Sequence, residues 1–574
     1  MVDAHTGALR RRYLPDPSIN SSLSNAQVRA FLIDQAGQIW IGGYSGGLQR
    51  HDPRNRAIRV LHHSPARESG LSSPSISSVL EASDGLLWAG TRDSGIDLID
   101  RERGVVRSLR PDTEHPGALG NGMVISLAQT ADGAVYAGTL AGMYRYDPGS
   151  QNFAAIGTAQ GLTGTTVRVL LADPGGDLWV GSNTGLARWR PAVGRAQSID
   201  LAGETGLAAD VNALALETGG RLWVGSAGGL YVLEAGAERL QVVAAAPGSA
   251  VDLSRASIVG LLIDRSGRLW LDSAEGLYRL LQWNGEYARF EAVSQRLGIG
   301  GRPFGANLLE DASGRIWTQR YVYDPQQDRV HELSRADGMD IGTAWFRAYT
   351  RTRDGRLLFG GSQGLAIVEP ERFQPWGYEP PVVATAYWLD GVEQEPGTQA
   401  TPLVVAAGHK RFGVEFAALD YSAPQRLRYR YRLSGFDADW IETDASRRVA
   451  GYSNVWPGRY ELHVRASNRS GLWSTRELRV PIQVLPQLWQ TAWFATLSTL
   501  LLLGCGWALW RRHVRRVREH ELALEQLVDE RTQELTRAKE GAESALAQLK
   551  GAQAQLVVAE KMATLGQLVA GVAH

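Results

Sequence analysis

The chain repeats one short phrase, Asp-x-x-Gly-x-(Leu/Ile)-Trp-x-Gly, and this repetition restricts it to few folds. Eight copies are recognisable, some of them imperfect. Their aromatic residues recur every 42 to 48 residues: Trp40, Trp88, Tyr136, Trp179, Trp223, Trp270, Trp317 and Phe359. Repeats of this period that read as short strands are typical of β-propeller blades, because one repeat cannot bury its apolar face alone. We therefore predict a β-propeller over residues 1–374.

Each part of the phrase has an expected structural role. Asp and Gly form a tight turn, since glycine adopts positive φ without strain. The aromatic residue then packs one blade against the next. The number of blades stays open at seven or eight, because the copy at Trp40 can belong to this ring or to one upstream. We expect an N-terminal strand to close the ring near Leu365–Val368, which removes exposed sheet edges.

Residues 381–485 have a different pattern, which begins after Pro375 and the Pro380–Pro381 pair. Apolar and polar residues alternate in several short runs, for example from Tyr429 to Leu433. Such runs predict the strands of an immunoglobulin- or fibronectin-like β-sandwich of about 100 residues.

Residues 488–510 contain no charged side chain. As a helix this segment would be about 34 Å long, enough for a bilayer core of about 30 Å. Tryptophans lie near both ends, and five arginines follow directly: Arg511, Arg512, Arg515, Arg516 and Arg518. We predict one transmembrane helix, with its arginine-rich end in the cytoplasm and everything before residue 488 outside.

Residues 511–555 predict a cytoplasmic coiled-coil helix. Alternating steps of four and three residues connect one set of positions: Leu524, Val528, Arg531, Leu535, Ala538, Ala542, Ala545, Leu549, Ala552 and Leu556. This is a heptad seam, so a parallel homodimer is expected. Alanines and Arg531 weaken the seam. Two readings of this weakness stay open: a simple helix defect, or a rod that shifts register to carry a signal.

Composition excludes several other classes of protein. Lys plus Arg and Asp plus Glu number 60 each, so no nucleic-acid partner held by bulk charge is expected. Cys505 is the sole cysteine, which excludes an intrachain disulfide and a cysteine-based metal site. We predict no metal site, and no residue stands out enough to be assigned to ligand binding.

The last residues, AEKMATLGQLVAGVAH, resemble the first helix of the dimerisation and phosphoacceptor domain of sensor histidine kinases. The resemblance covers residues 556–574, the start of that domain, and implies that His574 is the phosphoacceptor. A neutral imidazole can attack the γ-phosphate of ATP. The family's ATP-binding domain is outside this chain, which is therefore expected to be inactive alone. No cofactor is expected for it; ATP and Mg belong with that kinase domain.

The upstream regions resemble the same family. The repeats are similar to the regulator-propeller repeats of two-component sensors. The sandwich resembles the triple-tyrosine domain that follows them, through a signature of Tyr431, Trp440, Tyr452 and Tyr460. The repeat aromatics and this signature are expected mainly to pack cores, rather than to form ligand platforms.

This resemblance implies the extracytoplasmic sensor and signal-transmitting part of a phosphorelay histidine kinase, a single-pass protein of the bacterial inner membrane. Its implied partners are a cognate response regulator and a periplasmic or extracellular ligand, with oligosaccharides as one candidate class. A membrane-anchored, non-enzymatic propeller receptor is the alternative. A propeller enzyme of the quinoprotein type is disfavoured, because such enzymes usually carry a cysteine pair.

Overall fold

The computed structural model describes residues 5–546, except for 10–12, 17–21, 65–69, 101–102, 116, 202–209 and 398–400. Among these residues the fold is mostly β: a ring of small sheets, a two-sheet sandwich and one long helix. The predicted fold class is confirmed. The predicted phosphoacceptor His574 and the coiled-coil positions beyond 546 lie outside the described residues.

In the described part of the chain, seven blades of four antiparallel strands form the ring, and we number them as blades 1 to 7. The outer strands of blades 3 and 4 also pair with each other in parallel, and Ala244–Ala245 adds a short fifth strand to blade 5. Blades 1 to 3 contain the strands Ile76–Glu81, Leu87–Thr91, Ile96–Asp100 and Gly104–Leu109; Val124–Gln129, Val135–Thr139, Gly142–Asp147 and Asn152–Ile156; and Val167–Ala172, Leu178–Ser182, Gly185–Arg190 and Arg195–Leu201. Blades 4 and 5 contain Val211–Leu216, Leu222–Ser226, Gly229–Leu233 and Arg239–Val242; and Ile258–Ile263, Leu269–Ser273, Gly276–Trp283 and Tyr287–Ala292. Blade 6 contains Leu309–Glu310, Ile316–Trp317, Tyr321–Asp324 and Arg329–Glu332.

Blade 7 closes the ring with a strand from an earlier part of the chain. Its first three strands are Ala344–Arg351, Leu357–Gly361 and Gly364–Val368, and its outer strand is Ile58–Leu61. Leu61 lies opposite Leu365, and Ile58 lies opposite Val368. Closure therefore occurs at the expected place on blade 7, but the closing strand follows the first repeat and is not the N-terminal strand that the sequence suggested.

The first repeat forms a separate three-stranded sheet outside the ring. Its strands are Val28–Ile33, Ile39–Gly43 and Leu48–His51. The ring thus has seven blades, which resolves the alternative that the sequence left open.

The apolar cores of the ring lie between blades. Each core cluster joins two neighbours; one, for example, packs Leu358 and Leu365 of blade 7 against Ile76 and Val79 of blade 1. The repeat aromatics of all seven blades are at most 4% exposed, and they occupy these clusters. Stacking of neighbours therefore buries the apolar face that no single repeat can bury.

The second glycine of the phrase makes room for the next blade. A Cβ on Gly90 would lie 2.8 Å from a methyl carbon of Val124, and one on Gly138 would lie 2.6 Å from a methyl carbon of Val167. Both valines begin the inner strand of the following blade. A larger side chain at this glycine position would force neighbouring blades apart unless the adjacent blade offered it space and a bonding partner.

The aspartate of the phrase accepts a hydrogen bond from the tryptophan six residues later. The indole Nε1 donors and carboxylate oxygens are 2.7 to 3.2 Å apart in four repeats: Trp40 to Asp34, Trp179 to Asp173, Trp270 to Asp264, and Trp317 to Asp311. In blade 4, Glu217 takes this role for Trp223. Blade 1 has Ala82 at this position, and the Trp88 indole has no hydrogen-bond partner among the described residues.

We expect Asp264→Asn to lower the free energy of unfolding by about 2 kcal/mol at neutral pH. Burial opposes ionisation, but donors from Ser266, Trp270 and Arg268 outweigh it and lower the pKa of Asp264 to about 2. The folded pKa lies below the unfolded value, so this stability is present above about pH 4 and lost as the pH falls through about 2. Denaturant titrations at several pH values measure it. Asp84→Asn, in a turn with no indole bond, is the control; equal losses in both variants would contradict the prediction.

The second domain is a two-sheet sandwich with one apolar core between the sheets. One sheet contains Val392–Gln394, Val382–Leu389, Arg411–Ala418 and Val449–Ser453. The other contains Leu403–Val405, Leu478–Val484, Gly458–Ala466, Arg428–Ser434 and Ile441–Asp444. The strand Leu478–Val484 of this second sheet comes last in the chain and leads directly towards the long helix.

The long helix runs over Ala492–Leu546, after a single 3-10 turn at Leu488–Gln490. It begins four residues after the predicted start of the membrane span. One stretch, Ala492–Glu534, is long and apolar enough to cross a membrane, with a mean hydropathy of 1.6 in its most apolar window and no burial in the described structure. The helix continues without a break through the arginines into the predicted coiled-coil region.

Candidate functional site

The propeller and the sandwich meet at one tryptophan, Trp376. Blade 7 leads through the turn Pro370–Arg372 to this residue, shortly before the sandwich begins at Val382. The Trp376 indole donates a 2.7 Å hydrogen bond to the Asp420 carboxylate of the sandwich. Its ring lies between two guanidinium groups, with Arg54 at 4.3 Å and Arg469 at 4.2 Å from the ring centroid. We call this cluster the junction.

Arg469 is the central charge of the junction. Its side chain is 5% exposed, and Nη2 lies 3.2 Å from Oδ1 of Asp337 and 4.0 Å from Oδ2 of Asp52. Both carboxylates come from the propeller, whereas Arg469 comes from the sandwich. Although burial disfavours the ionised form, His331 and Arg469 hold the pKa of Asp337 below its usual value. The junction is therefore a buried ion pair between two domains.

Two more arginines bond the domains to each other. Arg426 of the sandwich donates to the Glu332 carbonyl at 2.9 Å and to its carboxylate at 3.0 Å. Arg50, from the sheet of the first repeat, donates to the Ser422 carbonyl at 2.7 Å. These bonds are directional, so they fix the orientation of the sandwich relative to the ring.

The predicted triple-tyrosine signature lies away from the junction. Tyr452 donates to the Asp437 carboxylate at 2.6 Å, and burial together with this carboxylate raises the pKa of the phenol above its usual value. Tyr431 packs edge-on against Tyr452. Tyr460 donates to the Trp456 carbonyl at 3.0 Å. These contacts order the sandwich and do not converge on a pocket.

Trp440 of the same signature lies outside the sandwich core cluster. It is half-buried beneath three guanidinium groups, whose carbons lie 5.2 to 5.4 Å from its ring: Arg430, Arg432 and Arg465. Arg430 also stacks on Trp473 at 4.6 Å. The result is a layered cation–π surface that stabilises the strands beneath it.

Sequence reasoning missed the residues that matter most at the junction. Arg469 follows Asn468, whose side chain donates to the carbonyls of Trp376 and Tyr378. Asp337 and Asp52 carry no local signal, because only the tertiary fold brings them to Arg469. No group of three potential metal ligands occurs within the described part of the chain.

The opposite end of the sandwich faces the start of the long helix. A cavity of about 350 Å³ separates the sandwich from the turn at Leu488–Gln490, and Phe412, Trp456 and Gln490 are among its lining residues. Trp456 is 73% exposed there.

Comparison with known proteins agrees with this architecture. The family model for the Two component regulator propeller matches residues 22–45 and 70–93, which contain the first two strands of the first repeat and of blade 1. The Y_Y_Y domain model matches residues 420–485 of the sandwich.

Two relatives illustrate the similarity. Histidine kinase P4 of Formosa agariphila is 23% identical over 248 residues, which is 41% of this chain but only 18% of that protein. The extracellular domain of BT3049 from B. thetaiotaomicron, described as a hybrid two component system, has a TM-score of 0.64 at 22% identity. That match covers 81% of this chain and 62% of the other, and it supports the fold. The chain therefore carries sequence of the Two component regulator propeller and of the Y_Y_Y domain, on a fold that it shares with the BT3049 domain.

Proposed function

We propose that this chain is the sensing and membrane-spanning part of a two-component sensor histidine kinase. The observation that carries the proposal is continuity: the ring is bonded to the sandwich at the junction, and the sandwich runs into the helix. Only residues 485–491 separate the strand Leu478–Val484 from the helix that begins at Ala492. A change in the ring can therefore reach the helix through ordered elements alone.

In this proposal the chain crosses the bacterial inner membrane once. The ring and sandwich are periplasmic, and the helix enters the cytoplasm where five arginines follow Trp510. Trp456 and Trp489 are exposed near the start of the helix, where a membrane interface would contain their rings.

The signal is a shift between two arrangements of the paired helices. A ligand outside can drive this shift only if it binds the two arrangements with different affinity. The helix Ala492–Leu546 would be about 82 Å long, so a rotation or piston movement at its outer end reaches the cytoplasm. The seam residues Leu524 and Val528 are 56% and 59% exposed in the single chain, which favours a second copy as their partner.

Pairing of the helices predicts a specific cross-linking pattern. In membranes, Val528→Cys in a Cys505→Ser background should form a disulfide-linked dimer on mild oxidation. Gln526→Cys, placed on the opposite face of the heptad, should cross-link several-fold less, because its Cβ points away from the partner. Non-reducing electrophoresis measures both yields. Equal cross-linking of the two variants, or none at position 528, would rule out this seam.

The final step is phosphoryl transfer at His574. Imidazole attacks the γ-phosphorus of ATP, the bond to the β,γ-bridging oxygen breaks, and ADP leaves. The resulting phosphoramidate passes its phosphoryl group to an aspartate carboxylate of the cognate response regulator, which regenerates the imidazole. ATP and Mg would be bound by an ATP-binding domain, whose chemistry this chain does not itself supply.

A phosphotransfer assay tests this step. The chain is fused after His574 to the remaining helix and the ATP-binding domain of a sensor kinase, then incubated with radiolabelled ATP. We expect label in the fusion and its complete loss in His574→Gln, because glutamine has no nucleophilic ring nitrogen. The circular dichroism spectrum of both proteins confirms that they fold.

The alternative is a membrane-anchored propeller receptor without kinase output. Label that persists in His574→Gln, or never appears in the folded fusion, would favour this alternative. Cross-linking at position 528 would be compatible with both functions, so only the phosphotransfer assay separates them.

A further inference from the structure

The inner strand of blade 7 contains an unusual bulge at the mouth of the ring. Its pairing with Leu357–Gly361 is interrupted between Ala344 and Tyr349. Arg347, within the interruption, has a φ of +73°, in the left-handed region that costs a non-glycine residue about 1 kcal/mol or more. Strain of this kind persists only where the surrounding structure enforces it.

Neighbouring blades hold the bulge in place. The buried Asn307 side chain donates to the Trp345 carbonyl at 2.9 Å and accepts from the Arg347 amide at 2.9 Å. The Trp345 indole donates to Ser75 Oγ at 2.9 Å, and Arg92 stacks over its ring at 4.0 Å. The bulge is therefore a fixed feature, built from three separate parts of the chain.

The bulge forms one side of a cavity of about 270 Å³ between blades 1, 2, 3 and 7. The lining combines apolar side chains with cationic ones, chiefly Ile125, Leu140, Phe346, Arg92, Arg168 and Arg347. Phe346 is 48% exposed, which is high for a phenylalanine inside a propeller. A cavity of this size accepts one sugar-sized ring.

Positive charge exceeds negative charge in this cavity. Arg168 pairs with Asp210 at 2.8 Å, whereas Arg92 and Arg347 form no ion pair with any residue that the structure describes. The Nε donors of Arg168 and Arg347 likewise lack hydrogen-bond partners there. Burial and the nearby Arg168 lower the pKa of Arg347 to about 10, so it remains cationic at neutral pH. Asp210 acts on Arg347 as well as on Arg168, so one carboxylate serves two partly buried guanidinium groups, and a bound anion would balance the remaining charge.

We infer that the mouth of the ring binds a small anion carried on a ring, with its carboxylate, sulfate or phosphate group on Arg168 and Arg347 and its ring against Phe346. Guanidinium groups bind all three anionic groups in a planar, bidentate manner. The inference deepens the proposed function, because it names the class of ligand that the sensor would receive.

The position of the cavity suits a sensor. Asp337 in the junction lies on the segment that connects blades 6 and 7, and this segment leads directly into the inner strand of blade 7, which contains Arg347. A ligand that pulls Arg347 towards an anion would therefore act on the backbone that presents Asp337 to Arg469.

Isothermal titration calorimetry on the full chain in lipid nanodiscs tests the inference directly. The probes are sodium glucuronate, sodium sulfate, sodium phosphate and neutral glucose, titrated at constant ionic strength. We expect saturable binding of glucuronate with at least tenfold preference over glucose. Arg347→Gln should weaken it about tenfold or more, and Phe346→Ala severalfold, because each removes one of the two recognition elements. Arg195→Gln, an equal charge change on the outer strand of blade 3, should leave binding unchanged.

Several results would overturn the inference. These are binding of glucose equal to that of glucuronate, absence of saturable heat with every anionic probe, or equal losses in Arg347→Gln and Arg195→Gln. Two measurements distinguish loss of the anion contact from a folding defect in Arg347→Gln. One is the melting temperature of each variant, and the other is glucuronate binding by Arg168→Gln. Tighter binding of sulfate or phosphate than of glucuronate would retain the anion site and reassign the anionic group. None of these results depends on phosphotransfer, so failure here leaves the proposed sensor function intact.

Discussion

Replacing Arg469 by alanine will destabilise the chain by about 3–5 kcal/mol and loosen the sandwich from the ring. The cost arises because Asp337, itself 4% exposed, loses the guanidinium partner at 3.2 Å that balances its buried charge and keeps only His331 and Ser334. The Trp376 ring also loses one of its two stacked guanidinium groups. Denaturant unfolding in detergent measures the free energy of unfolding. Hydrogen exchange should rise locally over the connecting residues 374–381.

Two further variants separate the buried pair from general effects of arginine loss. Arg479→Ala removes a mostly exposed guanidinium that pairs with Glu477, and it should cost less than about 1 kcal/mol. Adding Asp337→Asn to Arg469→Ala should recover part of the lost stability, because the orphaned charge is then absent. A loss below about 1 kcal/mol in Arg469→Ala, with unchanged exchange at the linker, would show that the ion pair does not hold the junction.

Replacing Asp272 by glycine will lower the free energy of unfolding by at least about 3 kcal/mol, although glycine is the usual residue at this point of the repeat. Asp272 lies two residues after Trp270 in blade 5, a position where five of the other six blades have glycine and blade 6 has Gln319. Its buried carboxylate accepts three backbone hydrogen bonds, of 2.8, 2.8 and 2.5 Å, from Phe304, Gly305 and Ala306. Glycine would leave these three buried amides without an acceptor, and each such loss costs about 1–3 kcal/mol.

The physical reason for the exception lies in blade 6. Its inner strand is only Leu309–Glu310, so the segment before it lacks the usual strand partners. The carboxylate of Asp272 supplies acceptors to that segment in their place. Asp272→Asn, which retains one acceptor oxygen, should lose less stability than Asp272→Gly in the same denaturant titration. A stabilising effect of Asp272→Gly, as the repeat consensus suggests, would refute this account.

The sequence alone determined the elements that depend on local patterning. The period of the repeat predicted propeller blades, the alternation after Pro381 predicted a sandwich, and the uncharged segment before Arg511 predicted the apolar helix. Each follows from periodicity or transfer energy within a short window, which neighbouring residues alone specify. The turn motif also predicted where the aromatic residues would pack, though not that its aspartates bond to the indoles.

The tertiary structure decided everything that depends on distant parts of the chain. It chose seven blades over eight, because Ile58–Leu61 pairs with Gly364–Val368 and leaves the first repeat outside the ring. It brought Arg469 to Asp337, and it placed Arg168 beside Arg347 at the mouth. No local sequence pattern encodes such contacts. The strands and charges that form them are far apart in the sequence, and only the path of the folded chain brings them together. Repetition therefore specifies the blades, whereas ring closure decides which side chains meet.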